Sequence, residues 1–144
     1  MSDEFNLLEA FKSKEMVCDL PLCRVLMEDK EFPWLLLIPR RPNVRQMNQL
    51  CREDRLQLME EITVASDLME KLFPTDILNV AAIGNKTPQL HIHIISRNKD
   101  DSLWPEVIWG RQMQKLSDES KSARLGKIKA AFDEASVAFS YSRN

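Results

Sequence analysis

Residues 89–97 read Gln-Leu-His-Ile-His-Ile-Ile-Ser-Arg, an alternation of polar and apolar side chains that fits a β-strand with one buried face. In such a strand Leu90, Ile92 and Ile94 point into a core, and Gln89, His91 and His93 form a row on the other face. The row holds both histidines of the 144-residue chain. Just upstream, Gly84-Asn85-Lys86-Thr87-Pro88 is a turn sequence of the kind that joins antiparallel strands, and residues 77–83 supply the partner strand.

The rest of the chain is read around that hairpin. Residues 3–14 predict a short helix through Phe5, Leu8, Ala10 and Phe11. Residues 17–27 predict two extended pieces with Pro21 at the corner. Residues 34–38 are a continuous apolar run between Pro33 and Pro39, which predicts a buried strand. A long helix is then expected to start at Asn43, with Asn43-x-x-Gln46 as its capping box, and to run about 40 Å to Phe73-Pro74. Its stripe is Met47, Leu50, Cys51, Leu58, Ile62, Ala65, Met69 and Leu72. Residues 98–115 carry no regular pattern. Ser117 caps a last helix with Leu125, Ile128, Phe132, Ala135 and Phe139 on its buried stripe. This order predicts an α+β fold with an antiparallel sheet, in one domain over residues 1–144.

Composition narrows the function classes. Apolar residues make up 44% of the chain, which excludes disorder, and three cysteines are too few for a disulfide scaffold. Cys18, Cys23 and Cys51 read as reduced thiols of a cytoplasmic protein; their spacing is loose for a zinc site. With 20 Lys+Arg against 22 Asp+Glu, the chain lacks the basic excess of a nucleic-acid binder. No apolar run is long enough to span a membrane, and the acidic start is not that of a signal peptide.

Three readings of the Gln89/His91/His93 row stand side by side. In the plainest, a half-exposed strand carries histidine on its outer face. In the second, His91-x-His93 is a metal pair, although no residue is nominated as a third ligand. In the third, a neutral imidazole attacks phosphorus through one ring nitrogen while a hydrogen bond holds the other. The second histidine then donates to the phosphate or the leaving group. For that chemistry the turn at residues 84–88 offers backbone N–H groups. Lys86 and Arg97 flank the strand, and Arg40, Arg41 and Arg45 add to a local positive field.

Residues 89–95 resemble the histidine triad motif, His-φ-His-φ-His-φ-φ with φ apolar, with Gln89 in the first position. The resemblance extends over roughly residues 16–98: an upstream strand ending Ile38-Pro39-Arg40-Arg41, a long helix, a strand, a Gly-Asn turn and the motif strand. Asp101-x-x-Trp104-Pro105 and Trp109-Gly110 are further similar to a bacterial branch of the family that has Gln at that position, whose members resemble diadenosine polyphosphate hydrolases. The resemblance implies a sheet of about five antiparallel strands, with a long helix and terminal helices packed on it. It implies a nucleotide hydrolase or nucleotidyl transferase with His91 as nucleophile, His93 on the phosphate and leaving group, and Gln89 in support. Asn85, Lys86, Thr87, Arg97 and Asn43 are the implied phosphate and nucleotide contacts. Neither metal nor organic cofactor is implied, and a homodimer is. The alternative is a module that binds nucleotides with little or no catalysis.

Overall fold

The structure is a computed structural model that describes residues 4–142, with side chains described to residue 135. Five strands, β1 (Glu15–Asp19), β2 (Cys23–Met27), β3 (Trp34–Pro39), β4 (Ile77–Ala82) and β5 (Ile92–Arg97), form one sheet in the order β1-β2-β3-β5-β4. Every pairing is antiparallel. Three α-helices accompany it: α1 (Glu9–Lys12), α2 (Arg52–Leu72) and α3 (Asp118–Ser142).

Each sheet face is covered by a different kind of layer. On one face Leu35, Leu37, Ile92 and Ile94 pack against Leu58, Ala65 and Met69 of α2 and Ile128 and Phe132 of α3. Ser117 caps α3 as expected, its Oγ accepting from Ser120 N at 3.1 Å. Phe139 of the expected α3 stripe lies outside the described side chains. On the other face Leu26, Trp34, Leu36, Ile38 and Ile95 are covered by Phe11, Phe32 and Ile108, with Phe5, Leu7, Leu103 and Trp109 at the margin. Apart from Phe32 between β2 and β3, this second layer comes from the N-terminal segment and residues 103–113, which are almost without regular structure. β3 reads as an unbroken apolar run because both its faces are covered.

Three boundaries differ from the sequence reading. The long helix does not start at Asn43. Asn43 sits at φ 59°, a left-handed turn position that asparagine tolerates and a helix cap does not use. Gln46 and Gln49 instead box a single 3-10 turn, Met47–Gln49, so Met47 and Cys51 are exposed. α2 begins where Glu53 and Asp54 complement its N-terminus, and its 21 residues span about 32 Å. The helix expected over residues 3–14 shrinks to the single turn of α1, with residues before it extended. Finally, Ala82 pairs with Ile92, so Gln89, Leu90 and His91 belong to the returning limb of a loop ahead of β5.

One buried carboxylate holds the corner between β1 and β2. Glu61 of α2, 2% exposed, accepts from Leu22 N at 2.9 Å, Cys23 N at 2.7 Å and Gln57 Nε2 at 2.6 Å. Three donors satisfy the charge there, so its burial is structural. Burial, with the nearby Asp19 and Glu61 carboxylates adding to it, pushes the Cys18 thiol up to about 12, and burial raises that of Cys23 as well. Both thiols therefore stay protonated and unreactive at pH 7.

Candidate active site around His91 and His93

The two histidines of the row are buried where a half-exposed face was expected. His91 is 5% exposed and His93 7%, because the irregular second layer closes over them. Phe11 meets the His91 ring edge-on with centroids 4.9 Å apart, and the two imidazoles are also 4.9 Å apart. His93 is flanked by Trp34 at 5.6 Å and Trp109 at 5.4 Å.

Hydrogen bonds assign the tautomer of each ring. His91 Nδ1 lies 2.7 Å from the Gln89 carbonyl oxygen, which can only accept, so Nδ1 carries the proton and Nε2 keeps its lone pair. His93 is the reverse. Trp34 Nε1–H donates to its Nδ1 at 3.0 Å, which places the proton on Nε2. That Nε2 is buried and makes no hydrogen bond of normal geometry among the described residues. Burial, reinforced by neighbouring His91, lowers the His93 pKa to about 4, with the Ile83 main chain offsetting a little. His93 is therefore neutral at pH 7, a hydrogen-bond donor without charge.

This has a consequence for stability. The unfolded chain protonates His93 near 6.5 and the folded chain near 4. Between those values the unfolded state binds more protons, so stability falls as the pH drops through that window, by roughly 3 kcal/mol in full. The lowered Asp19 and Asp101 carboxylates lose their contributions only below the ordinary value of 3.8. Urea unfolding from pH 7 to 4.5 should show this slope, and His93→Gln should flatten it. An unchanged slope in that variant would contradict the assignment.

His91 lines an open cleft of about 870 Å³ together with Arg45, Gln46, Gln49, Gly84 and Asn85. Gly84 sits close under the turn: a Cβ there would be tight against Thr87 O at 3.3 Å and in ordinary contact with His91 Cε1 at 3.9 Å. Residues 45–49, where the first turns of the long helix were expected, supply a wall of the cleft from a loop and a 3-10 turn ahead of α2. β1 and β2 supply no residue lining the cleft.

The implied contacts separate into those the fold brings to His91 and those it does not. Asn85 lines the cleft; Lys86 is exposed on the same turn, and the Thr87 carbonyl accepts from Gln89 N. Asn43 does not line it; its turn presents the Val44 carbonyl to Leu90 N at 2.9 Å. Arg97 lies at the far end of β5, about 17 Å along the strand from Ile92. Only 2% exposed, it is spent on Asp101 through Nε at 2.7 Å and Nη2 at 3.0 Å, and on Asn79 through Nη1 at 3.1 Å. Arg40 is engaged by the Leu20 carbonyl and Arg41 by Asp54, so of that expected cluster Arg45 alone lines the cleft. Gln89 directs its side chain to the N-terminal segment: Leu8 N donates to Oε1 at 3.0 Å, and Nε2 donates to Asn6 O at 2.8 Å.

An imidazole fixed through Nδ1 and lining a cleft, with a second imidazole against it, is an arrangement in which the first ring, in its neutral form, can present Nε2 to an electrophile. The fold that carries it, five antiparallel strands with the long helices α2 and α3 across one face, defines a small histidine-bearing α+β module. The chain belongs to the HIT domain family, whose model matches residues 11–100. This is a family of nucleotide-binding and hydrolase or transferase modules.

Solved structures agree. A histidine triad protein from Bradyrhizobium japonicum is 34% identical with a TM-score of 0.85, over 89% of this chain and 98% of that one. One from Marinobacter aquaeolei VT8 is 32% identical with a TM-score of 0.86, over 91% and 98%. One from Sinorhizobium meliloti 1021 is 26% identical with a TM-score of 0.83, over 88% and 96%. No curated protein matches the chain. Among the described residues, no helix is long and apolar enough to cross a membrane, and no group of three or more His, Cys, Asp or Glu is placed to hold a metal ion.

Proposed function

We propose that the chain is a hydrolase or nucleotidyl transferase acting on the α-phosphate of a nucleoside phosphate conjugate, of the phosphoramidate or dinucleoside polyphosphate type. The observation that carries this reading is the His91 Nδ1 to Gln89 carbonyl hydrogen bond, which leaves the Nε2 lone pair on a residue lining the cleft. In the first step Nε2 forms a bond to phosphorus and the bond to the leaving group breaks. The leaving group keeps that electron pair and takes a proton from solvent. Neutral His93 offers an Nε2–H hydrogen bond to a phosphate oxygen or the leaving atom. Water then attacks phosphorus and gives a proton to solvent, the phosphorus–nitrogen bond breaks with its electron pair returning to Nε2, and the nucleotide leaves with His91 restored. Asn85, Lys86 and Thr87 are the proposed phosphate-side contacts, and Arg45 the proposed cationic wall.

Incubation with adenosine phosphoramidate and diadenosine polyphosphates, followed by mass spectrometry, should trap a nucleotidyl adduct on His91. Turnover without any such adduct under rapid quench would overturn the covalent step. A second reading, binding without catalysis, is favoured by one observation: the Gln89 amide is engaged by the N-terminal backbone and brings no titratable group to the site. Binding of a purine mononucleotide with no turnover by the pure protein would establish it.

We further propose a cytoplasmic, single-domain protein that forms a homodimer along the outer edge of β4, where Ile77 is 52% and Val80 44% exposed. Val80→Asp should then halve the mass seen by light scattering; an unchanged mass would place the interface elsewhere.

A further inference from the structure

We propose that residues 6–11 form a clasp that positions His91, and that glutamine occupies position 89 in order to fasten it. This rests on the reading of His91 as nucleophile, but it concerns different residues. One amide head both accepts from Leu8 N at 3.0 Å and donates to Asn6 O at 2.8 Å, the pairing that a neighbouring strand's peptide group would make. The fastened segment is extended at Leu8, whose carbonyl then accepts from Phe11 N at 2.9 Å and opens α1. That single turn delivers Phe11, 3% exposed, edge-on against the His91 ring at 4.9 Å. The main chain of the same Gln89 holds His91 Nδ1.

Gln89 thus grips the imidazole twice: directly through its carbonyl, and indirectly through its side chain, residues 6–8 and Phe11. A closed ring of contacts limits rotation of the imidazole, and attack on phosphorus depends steeply on that orientation. Residues 6–8, which Gln89 fastens, precede the stretch matched by the HIT domain model, residues 11–100, whereas Phe11 lies at its start. Glutamine in the first triad position is then no weakened histidine. A planar carboxamide reproduces both partners of a peptide group, whereas the two nitrogens of an imidazole point to opposite sides of the ring.

The test uses the full chain carrying Gln89→Ala, Gln89→His or Phe11→Leu. Gln89 is only partly buried, which leaves room for both of its substitutions. Without any substrate, hydrogen exchange at the Leu8 amide should quicken at least about tenfold in Gln89→Ala, and the His91 Nδ1 proton should exchange faster in both Gln89→Ala and Phe11→Leu. With adenosine phosphoramidate, kcat should fall roughly ten- to a hundredfold in these two variants, with KM within about twofold. Gln89→His, which completes a triad of histidines, should fall as well. Unchanged exchange at Leu8 and His91, or a kcat in Gln89→His above that of the parent, would overturn the clasp. Absence of turnover in the unsubstituted protein would overturn the nucleophile reading, and the exchange measurements would still decide for or against the clasp.

Discussion

Replacing His91 with asparagine is expected to lower kcat on adenosine phosphoramidate by on the order of 10⁴-fold or more, while the fold survives. The magnitude follows from the role. A nucleophile that forms the covalent bond cannot be bypassed by the rest of the site, and what remains is binding and electrostatic stabilisation alone. The structural cost is modest by comparison. The ring packs against Phe11 and His93 and makes one hydrogen bond, to Gln89 O. A smaller polar side chain leaves a small void, worth about 1–2 kcal/mol. KM should move little, because the cleft wall at Arg45, Gln46 and Gln49 is untouched. Activity and thermal unfolding measured on one preparation separate the two effects. A variant retaining more than about a tenth of parental kcat would exclude His91 as the nucleophile.

The second large effect lies at the other end of β5. Arg97→Met should destabilise the protein by about 3–5 kcal/mol, since it strands a buried carboxylate. Burial acts to raise the Asp101 pKa, but the Arg97 hydrogen bonds, with the Asn98 and Leu103 amides, outweigh it and hold the group below its ordinary value. The Phe32 and Trp104 rings lie 5.2 and 6.0 Å from the guanidinium carbon, so packing is lost with the charge. Asp101 also begins the segment that carries Ile108 and Trp109 onto the His93 face. Loosening that segment should admit water to His93 and return its pKa toward 6.5. Urea unfolding checks the first expectation and an NMR titration of His93 the second. A loss below about 1 kcal/mol would mean that the pair is dispensable.

These expectations mark where the chain was legible and where it was not. The hairpin and the inward Leu90, Ile92 and Ile94 were readable because period-two alternation is local. So was the juxtaposition of His91 and His93, since they are neighbours in sequence. Burial of that pair was not. Alternation says which face a side chain takes, and whether that face is wet depends on Phe5, Leu7, Phe11, Ile108 and Trp109, which carry no common period. Arg97 at a strand end reads as a solvated charge until residues 98–104 fold back over it. Trp34 reads as a core residue. Its bond to His93 follows from register: Leu36 pairs with His93 and Trp34 with Ile95, so the indole reaches diagonally across. The helix start was misplaced because Asn43-x-x-Gln46 imitates a capping box, with Val44, Met47 and Leu50 behind it at helical spacing.

The placement of the indoles makes the site its own optical probe. The chain has three tryptophans; Trp34 and Trp109 touch His93, and Trp104 lies over Arg97. Ultraviolet emission from the unlabelled protein therefore originates beside the two buried features on which site and stability depend. Protonation of His93, seating of a nucleotide, or detachment of the segment at residues 101–113 would each change the surroundings of a different subset of these emitters. Single Trp→Phe substitutions can assign the signals, and rapid mixing can then follow the reacting site in real time without a chromogenic substrate.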